Sequence, residues 1–383
     1  MSYYIERTRC IQEITSLLQV FPVTAILGPR QVGKTTLSKV FDPQHIFDLE
    51  NPRDMAALEN PQLVLEKLEG LIVIDEVQRK PELFPLIRYL VDTHPAQRYL
   101  ILGSASSSLR QQSGESLAGR IGYYYLTGFN LTETGPAHLD TLWLRGGFPR
   151  SFLAADDQLS LLWRNNFIAT FLEKDLAMLG SNIPSPVMYR FWLMLSHYHG
   201  QTLNFSELGR SFGISDKTVR HYLAILEDTF MVRLLLPWYV NTGKRLVKSP
   251  KLYLRDSGVF HALQHINTSE ALRVNPKVGA SWEGFALEEL VSYLAKRDNE
   301  VFFYASHGGS ELDLYWQDQG KKLGAEFKFM DAPKMTQSMQ QVLVDLSLDH
   351  LWVIYPGNKQ YSLSAQVTVW PLQALHALPA AGG

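Results

Sequence analysis

A chain of 383 residues, 46% of them hydrophobic, is long enough for roughly two or three domains with real cores, which excludes a disordered or fibrous class. Its formal net charge of -2 excludes nucleic-acid binding through overall charge, so any such surface must be local. The lone cysteine, Cys10, excludes an internal disulfide framework and a cysteine-built metal cage; with no apolar run of about 18 residues and no apolar leader, the chain reads as cytoplasmic with no membrane span.

Ile11, Ile14, Leu17, Leu18 and Phe21 recur at helical spacing and predict an amphipathic helix leading into the apolar strand 23–27. Next comes Gly28-Pro29-Arg30-Gln31-Val32-Gly33-Lys34-Thr35-Thr36, followed by a helical pattern. Strand, glycine-rich turn and helix together are the context of a phosphate-binding loop. Gly28 and Gly33 let successive backbone N–H groups turn toward a polyphosphate, and the helix start adds its positive dipole end. Lys34 reaches the β- and γ-phosphates and the Thr35 hydroxyl completes a Mg²⁺ shell, so the expected cofactors are ATP and Mg²⁺.

Further strands are expected at 45–49 and 71–74, the second running directly into Asp75-Glu76. A nucleotide hydrolase needs this pair beside its loop: Asp75 to hold a water on Mg²⁺, Glu76 to orient and polarise the attacking water. A helix at 81–92 precedes an apolar strand at 99–102 ending in Gly103-Ser104, where a hydroxyl can sense the γ-phosphate. Arg110 and Arg120 are candidates for an arginine finger on a neighbouring subunit's nucleotide.

GPRQVGKTT, LIVIDEVQ, ILGSAS and ESLAGR, in that order, resemble the bacterial and archaeal AAA-type ATPases that carry a DUF4143 C-terminal region. The resemblance implies an additional-strand P-loop core with the loop strand in the centre of the sheet, and Gln78 near the nucleotide; assembly through the ATPase domain is a separate expectation. The family pattern begins the Gly103-Ser104 segment with threonine, where this chain has Leu102.

Gly146-Gly147-Phe148-Pro149 is a turn cluster that closes the first module, and an amphipathic helix over 157–179 follows as lid or connector until Ile183-Pro184-Ser185-Pro186 breaks it. Residues 205–212, the turn 213–215, residues 216–228 and the β-rich 230–236 read as a winged helix. Lys217, Thr218, Arg220 and His221 stand at the start of its second helix, where a DNA reader presents side chains. Lys244, Arg245, Lys248, Lys251 and Arg255 form a basic run that can pair with phosphates, although a solvated basic loop has the same pattern.

The last part alternates a helix around Glu283 with strands at 301–304, 312–316, 323–330 and 351–355. Period-two alternation sorts Leu312, Leu314 and Trp316 onto one face, and Glu311, Asp313 and Tyr315, with Glu326 and Lys328, onto the other. The order Glu283, Asp313, Glu326-x-Lys328 is similar to the restriction-endonuclease-like core. That resemblance implies Mg²⁺ held by Asp313 and Glu326, Lys328 positioning the attacking water, and Glu283 assisting. A solvated face held by a Glu–Lys pair is the plain alternative.

The expected class is α/β with an all-α/winged-helix middle: an additional-strand P-loop ATPase domain at 1–150, a helical lid or connector at 151–186, a winged helix with basic extension at 187–273 and an α/β restriction-endonuclease-like domain at 274–383. Expected partners are DNA and further copies of the chain. The rival reading is a nucleotide-dependent switch or scaffold whose C-terminal part binds without cleaving.

Overall fold

The computed structural model describes residues 5–104, 107–176, 183–239 and 246–379, with the backbone alone at 107–111. The chain divides into two compact units, one of residues 1–128 with 228–230 and the other of 129–227 with 231–383.

The first unit is built on five parallel strands: β1 (Val23–Leu27), β2 (His45–Asp48), β3 (Gly70–Asp75), β4 (Gln97–Gly103) and β5 (Ile121–Tyr125). Their order, β2-β3-β4-β1-β5, inserts β4 between the loop strand and the carboxylate strand. The loop strand is flanked on both sides but stands one place from the edge; the middle belongs to β4, which corrects the expected central position of β1. Alternate residues serve two cores, with Ala25, Ile72, Ile74 and Ile101 facing one way and Ile26, Val73, Leu100 and Leu102 the other. Burying each such side chain stabilises the fold by about 1.5–3 kcal/mol, so the strand bodies stay largely apolar. Polar chemistry therefore collects at the carboxyl ends, where Gly28, Asp75 and Ser104 lie.

The second unit contains a nine-stranded sheet. Its strands are β6 (Gln201–Thr202), β7 (Val232–Pro237), β8 (Lys251–Leu254), β9 (Val301–Ala305), β10 (Glu311–Asp318), β11 (Lys321–Phe327), β12 (His350–Tyr355), β13 (Tyr361–Ser364) and β14 (Val367–Pro371). They run in the order β13-β14-β12-β11-β10-β9-β7-β8-β6. β7 pairs antiparallel with β8 and parallel with β9, so the β-rich segment 230–236 expected as a wing continues into the C-terminal sheet. Helices Phe205–Phe212 and Asp216–Asp228 flank a turn whose Gly213 is left-handed, and Ser215 Oγ caps the second by accepting from the Thr218 N–H. The helix Asp157–Thr170 continues as a π-turn over Phe171–Asp175, shorter in its described part than the 157–179 expected.

The expected two-face alternation fails in β10. Glu311 and Leu312 pair with Ala305 and Tyr304, whereas Tyr315 and Trp316 pair with Phe302 and Val301, so β10 carries one extra residue between Leu312 and Tyr315. Leu312 and Tyr315 consequently share one apolar cluster instead of opposing each other. A β-bulge has reset the period at Asp313.

Candidate functional site

The loop after β1 is shaped by its backbone. Gly33 adopts φ 97° and Gln31 φ 63°, both left-handed, and a Cβ on Gly28 would meet the Leu126 carbonyl oxygen at 2.2 Å. Pro29 and Val32 are buried, Arg30 pairs with Glu50 at 2.6 Å, and Thr36 is exposed on the short helix Lys34–Ser38. Lys34, itself buried, donates to the carbonyl oxygens of Gly28 and Pro29, both at 2.9 Å, so its ammonium lies inside the loop.

Asp75 ends β3 beside this loop. Its Oδ2 accepts from Thr35 Oγ1 at 2.5 Å and its Oδ1 accepts from the Glu76 N–H at 2.9 Å. Glu76 has φ 55°, a left-handed backbone for a residue with a side chain, and its carboxylate accepts from Gln78 Nε2. Burial pushes the Glu76 carboxyl above its ordinary value, against the pull of Lys34 and Arg30. Two buried polar atoms in these segments, Ser104 Oγ and Gln78 Oε1, have no hydrogen-bond partner among the described residues. Facing hydroxyl and carboxylate oxygens suit a hard cation, and the lysine in the loop suits phosphate. The residues present therefore fit ATP and Mg²⁺.

Arg120 is placed elsewhere. It immediately precedes β5, whose Ile121 pairs with Val23 at the start of β1, so it lies at the end of the sheet opposite the loop. Its guanidinium makes a two-pronged pair with Asp92 at 2.7 and 2.9 Å. It is not brought together with the loop of its own chain. The Arg110 side chain lies outside the described residues.

The C-terminal candidates do converge, within the second unit. Asp313 Oδ2 accepts from the Phe327 N–H at 3.0 Å, while Glu326 Oε2 pairs with Lys328 Nζ at 2.6 Å. Glu283, on the helix Val278–Leu294, accepts from the Tyr253 hydroxyl at 2.6 Å. Burial raises Glu283 to about 7 and Glu326 to about 8. Burial alone would raise Asp313 too, but Lys251 and Lys328 hold it below the usual carboxylate range.

Lys251 is the residue that sequence reasoning misplaced. Instead of joining a phosphate-facing basic run, it is buried, with its ammonium 3.3 Å from Asp313 Oδ1 and 3.5 Å from Glu283 Oε1 and paired with Glu311. Arg255 is likewise taken, by Asp298 and Glu288. Lys244 and Arg245 lie outside the described residues, which leaves Lys248 exposed. With that ammonium in place the carboxylates do not fit Mg²⁺: among the described residues no group of three or more His, Cys, Asp or Glu side chains is arranged to hold a metal ion. At the second helix of the pair, Lys217, Arg220 and His221 are exposed, Arg220 lying over the Phe205 ring at 3.8 Å. Thr218 is half-buried, its hydroxyl bonded to Ser215.

Family models match three consecutive stretches: an AAA domain (AAA_14) at residues 20–135, a domain of unknown function (DUF8612) at 136–270 and another (DUF4143) at 278–375. Uncharacterized protein Rv2008c of Mycobacterium tuberculosis and uncharacterized protein Mb2031c of Mycobacterium bovis are each 46% identical over 372 residues, 96% of this chain and 84% of theirs. The Walker-type ATPase PABY2304 of Pyrococcus abyssi shares the fold, with a TM-score of 0.51 and 16% identity over 68% of this chain and 96% of its own. The chain belongs to the P-loop ATPases in which an AAA domain is followed by a DUF4143 C-terminal region. Among the described residues no helix is long and apolar enough to cross a membrane.

Proposed function

We propose that the first unit binds ATP with Mg²⁺ and hydrolyses it, and that the second unit is the part that engages a partner. The observation that carries the hydrolytic reading is the Thr35–Asp75 bond at 2.5 Å, with Glu76 next in the chain and Lys34 bonded within the loop. When bound, Mg²⁺ neutralises charge on the β- and γ-phosphates. Thr35 and Asp75 hold that ion, and Lys34 leaves its two loop carbonyls to meet phosphate oxygen. Glu76, released from Gln78, accepts a proton from the attacking water, and its burial-raised basicity suits that role. The Ser104 hydroxyl is free to bond the terminal phosphate. ATP turnover tests this: the wild type releases phosphate and Lys34→Ala does not, whereas equal turnover by the two proteins would sink the reading.

A second reading, contact with DNA, is favoured by the exposed Lys217, Arg220 and His221 on the helix Asp216–Asp228. The two helices with strands β6, β8 and β7 support a winged-helix assignment. A restriction-endonuclease-like assignment is supported by Asp313 and Glu326-x-Lys328 on adjacent strands, with Glu283 on the preceding helix. Cleavage by metal-bound water is not supported, because Lys251 occupies the carboxylates. The second unit is therefore better read as a binding module that responds to the nucleotide state. Assembly of several copies remains part of the proposal, with Arg120 available to a neighbour only after parting from Asp92. Titrating the protein with duplex DNA at several salt concentrations tests the partner, and affinity that does not fall with salt would count against phosphate contact.

A further inference from the structure

Outside the nucleotide loop, the most unusual arrangement is the one around Lys251. This β8 residue has a side chain only 5% exposed, and its ammonium meets Asp313 Oδ1 at 3.3 Å, Glu283 Oε1 at 3.5 Å and a Glu311 oxygen. The Phe303 ring centre lies 5.6 Å from the nitrogen. Three carboxylates from a strand and a helix thus converge on one buried positive charge.

We infer that the Lys251 ammonium is the resident cation of this carboxylate cluster, standing where a divalent ion would have to sit, and that the native chain takes no metal there. The inference goes beyond the ATP reading and is independent of it. Both oxygens of Asp313 are in use, one by Lys251 and the other by the Phe327 N–H. Glu283 Oε1 also accepts the Tyr253 hydroxyl at 2.6 Å. A Mg²⁺ ion needs oxygen contacts of about 2.0–2.1 Å, so it cannot share these atoms with the ammonium. Expelling the lysine would strand a buried charge. The cluster is a closed ion-pair centre tying β8 to β10 and to the helix Val278–Leu294, and it lacks the bound metal that would activate a water for phosphodiester cleavage.

Mn²⁺ alone, added to the full-length protein without nucleotide and followed by electron paramagnetic resonance, tests this without relying on activity. The wild type and Asp313→Asn are expected to leave Mn²⁺ equally free. Lys251→Met is expected to raise Mn²⁺ affinity by roughly tenfold or more, a gain removed by adding Asp313→Asn. Folded Lys251→Met that gains no Mn²⁺ would contradict the assigned place of the ammonium. If Lys251→Met does not fold, the wild type still decides: nucleotide-free Mn²⁺ binding that Asp313→Asn abolishes overturns the inference, and its absence in both proteins supports it. Loss of ATP turnover in Lys34→Ala is read separately, so the two accounts stand or fall apart.

Discussion

Two places in this molecule bring lysine and carboxylate together at strand ends, and they settle their charges in opposite ways. At the loop, Lys34 donates to two backbone carbonyls, and Asp75 is met by a neutral hydroxyl and a backbone N–H. In the second unit, Lys251 and Lys328 bond directly to Glu283, Asp313 and Glu326. The first arrangement is the one proposed to receive a cation and a phosphate. The second is already neutralised from within. Residue types alone do not separate a ligand site from an internal ion-pair centre; what separates them is which atom each ammonium touches.

The largest expected effect breaks the first site. Lys34→Ala and Glu76→Gln should each lower ATP turnover by roughly 10²–10³-fold, measured as phosphate release, with Glu76→Gln still binding nucleotide. Turnover preserved in Glu76→Gln would remove that carboxylate from the chemistry.

Stability should invert the ranking. Lys251→Met leaves buried carboxylates uncompensated and should cost about 3–5 kcal/mol in denaturant unfolding. Lys34→Met, which loses two bonds to carbonyls, should cost about 1–2 kcal/mol without nucleotide. Equal losses would erase the contrast between the two sites.

Glu289 sharpens the comparison as a buried carboxyl that bonds a backbone N–H, that of Leu131 at 2.7 Å. Burial raises its pKa to about 8 from 4.5. The unfolded chain releases this proton above about 4.5 while the folded chain keeps it, so its contribution to stability falls as pH rises from 4.5 to about 8. Glu289→Gln should therefore stabilise the protein at pH 8, by roughly 2–4 kcal/mol, and flatten the profile in that window. A profile unchanged by the substitution would show that the carboxyl is ionised in the fold.

The smallest effect concerns the exposed helix face. Lys217→Ala should weaken duplex DNA binding modestly and reduce the salt slope by about 1. An unchanged slope would place the contact elsewhere.

Much of the first unit was legible in the chain because its signals are local. Apolar runs predicted the buried strands, and the loop and Asp75-Glu76 are contiguous segments whose geometry follows from their neighbours. The Asp92 partner of Arg120, 28 residues away, carries no local signal. In the second unit the paired helices 205–212 and 216–228 were readable from period and capping. The bulge at Asp313 was not, since one added residue shifts the alternation without changing composition. Nor could the basic run around Lys251 announce a buried position, because its partners are non-local, Glu283 on the helix Val278–Leu294 and Glu311 and Asp313 on β10. The parallel pairing of Leu236 with Phe302 is equally non-local, so nothing in either segment marks β7 as part of the C-terminal sheet.

The contrast between an open and a self-neutralised site is tested most directly by Mn²⁺ binding with and without a non-hydrolysable ATP analogue. Wild type should retain Mn²⁺ only when the analogue is present, losing it in Thr35→Ala and keeping it in Asp313→Asn. Mn²⁺ held without nucleotide and lost in Asp313→Asn would contradict the account.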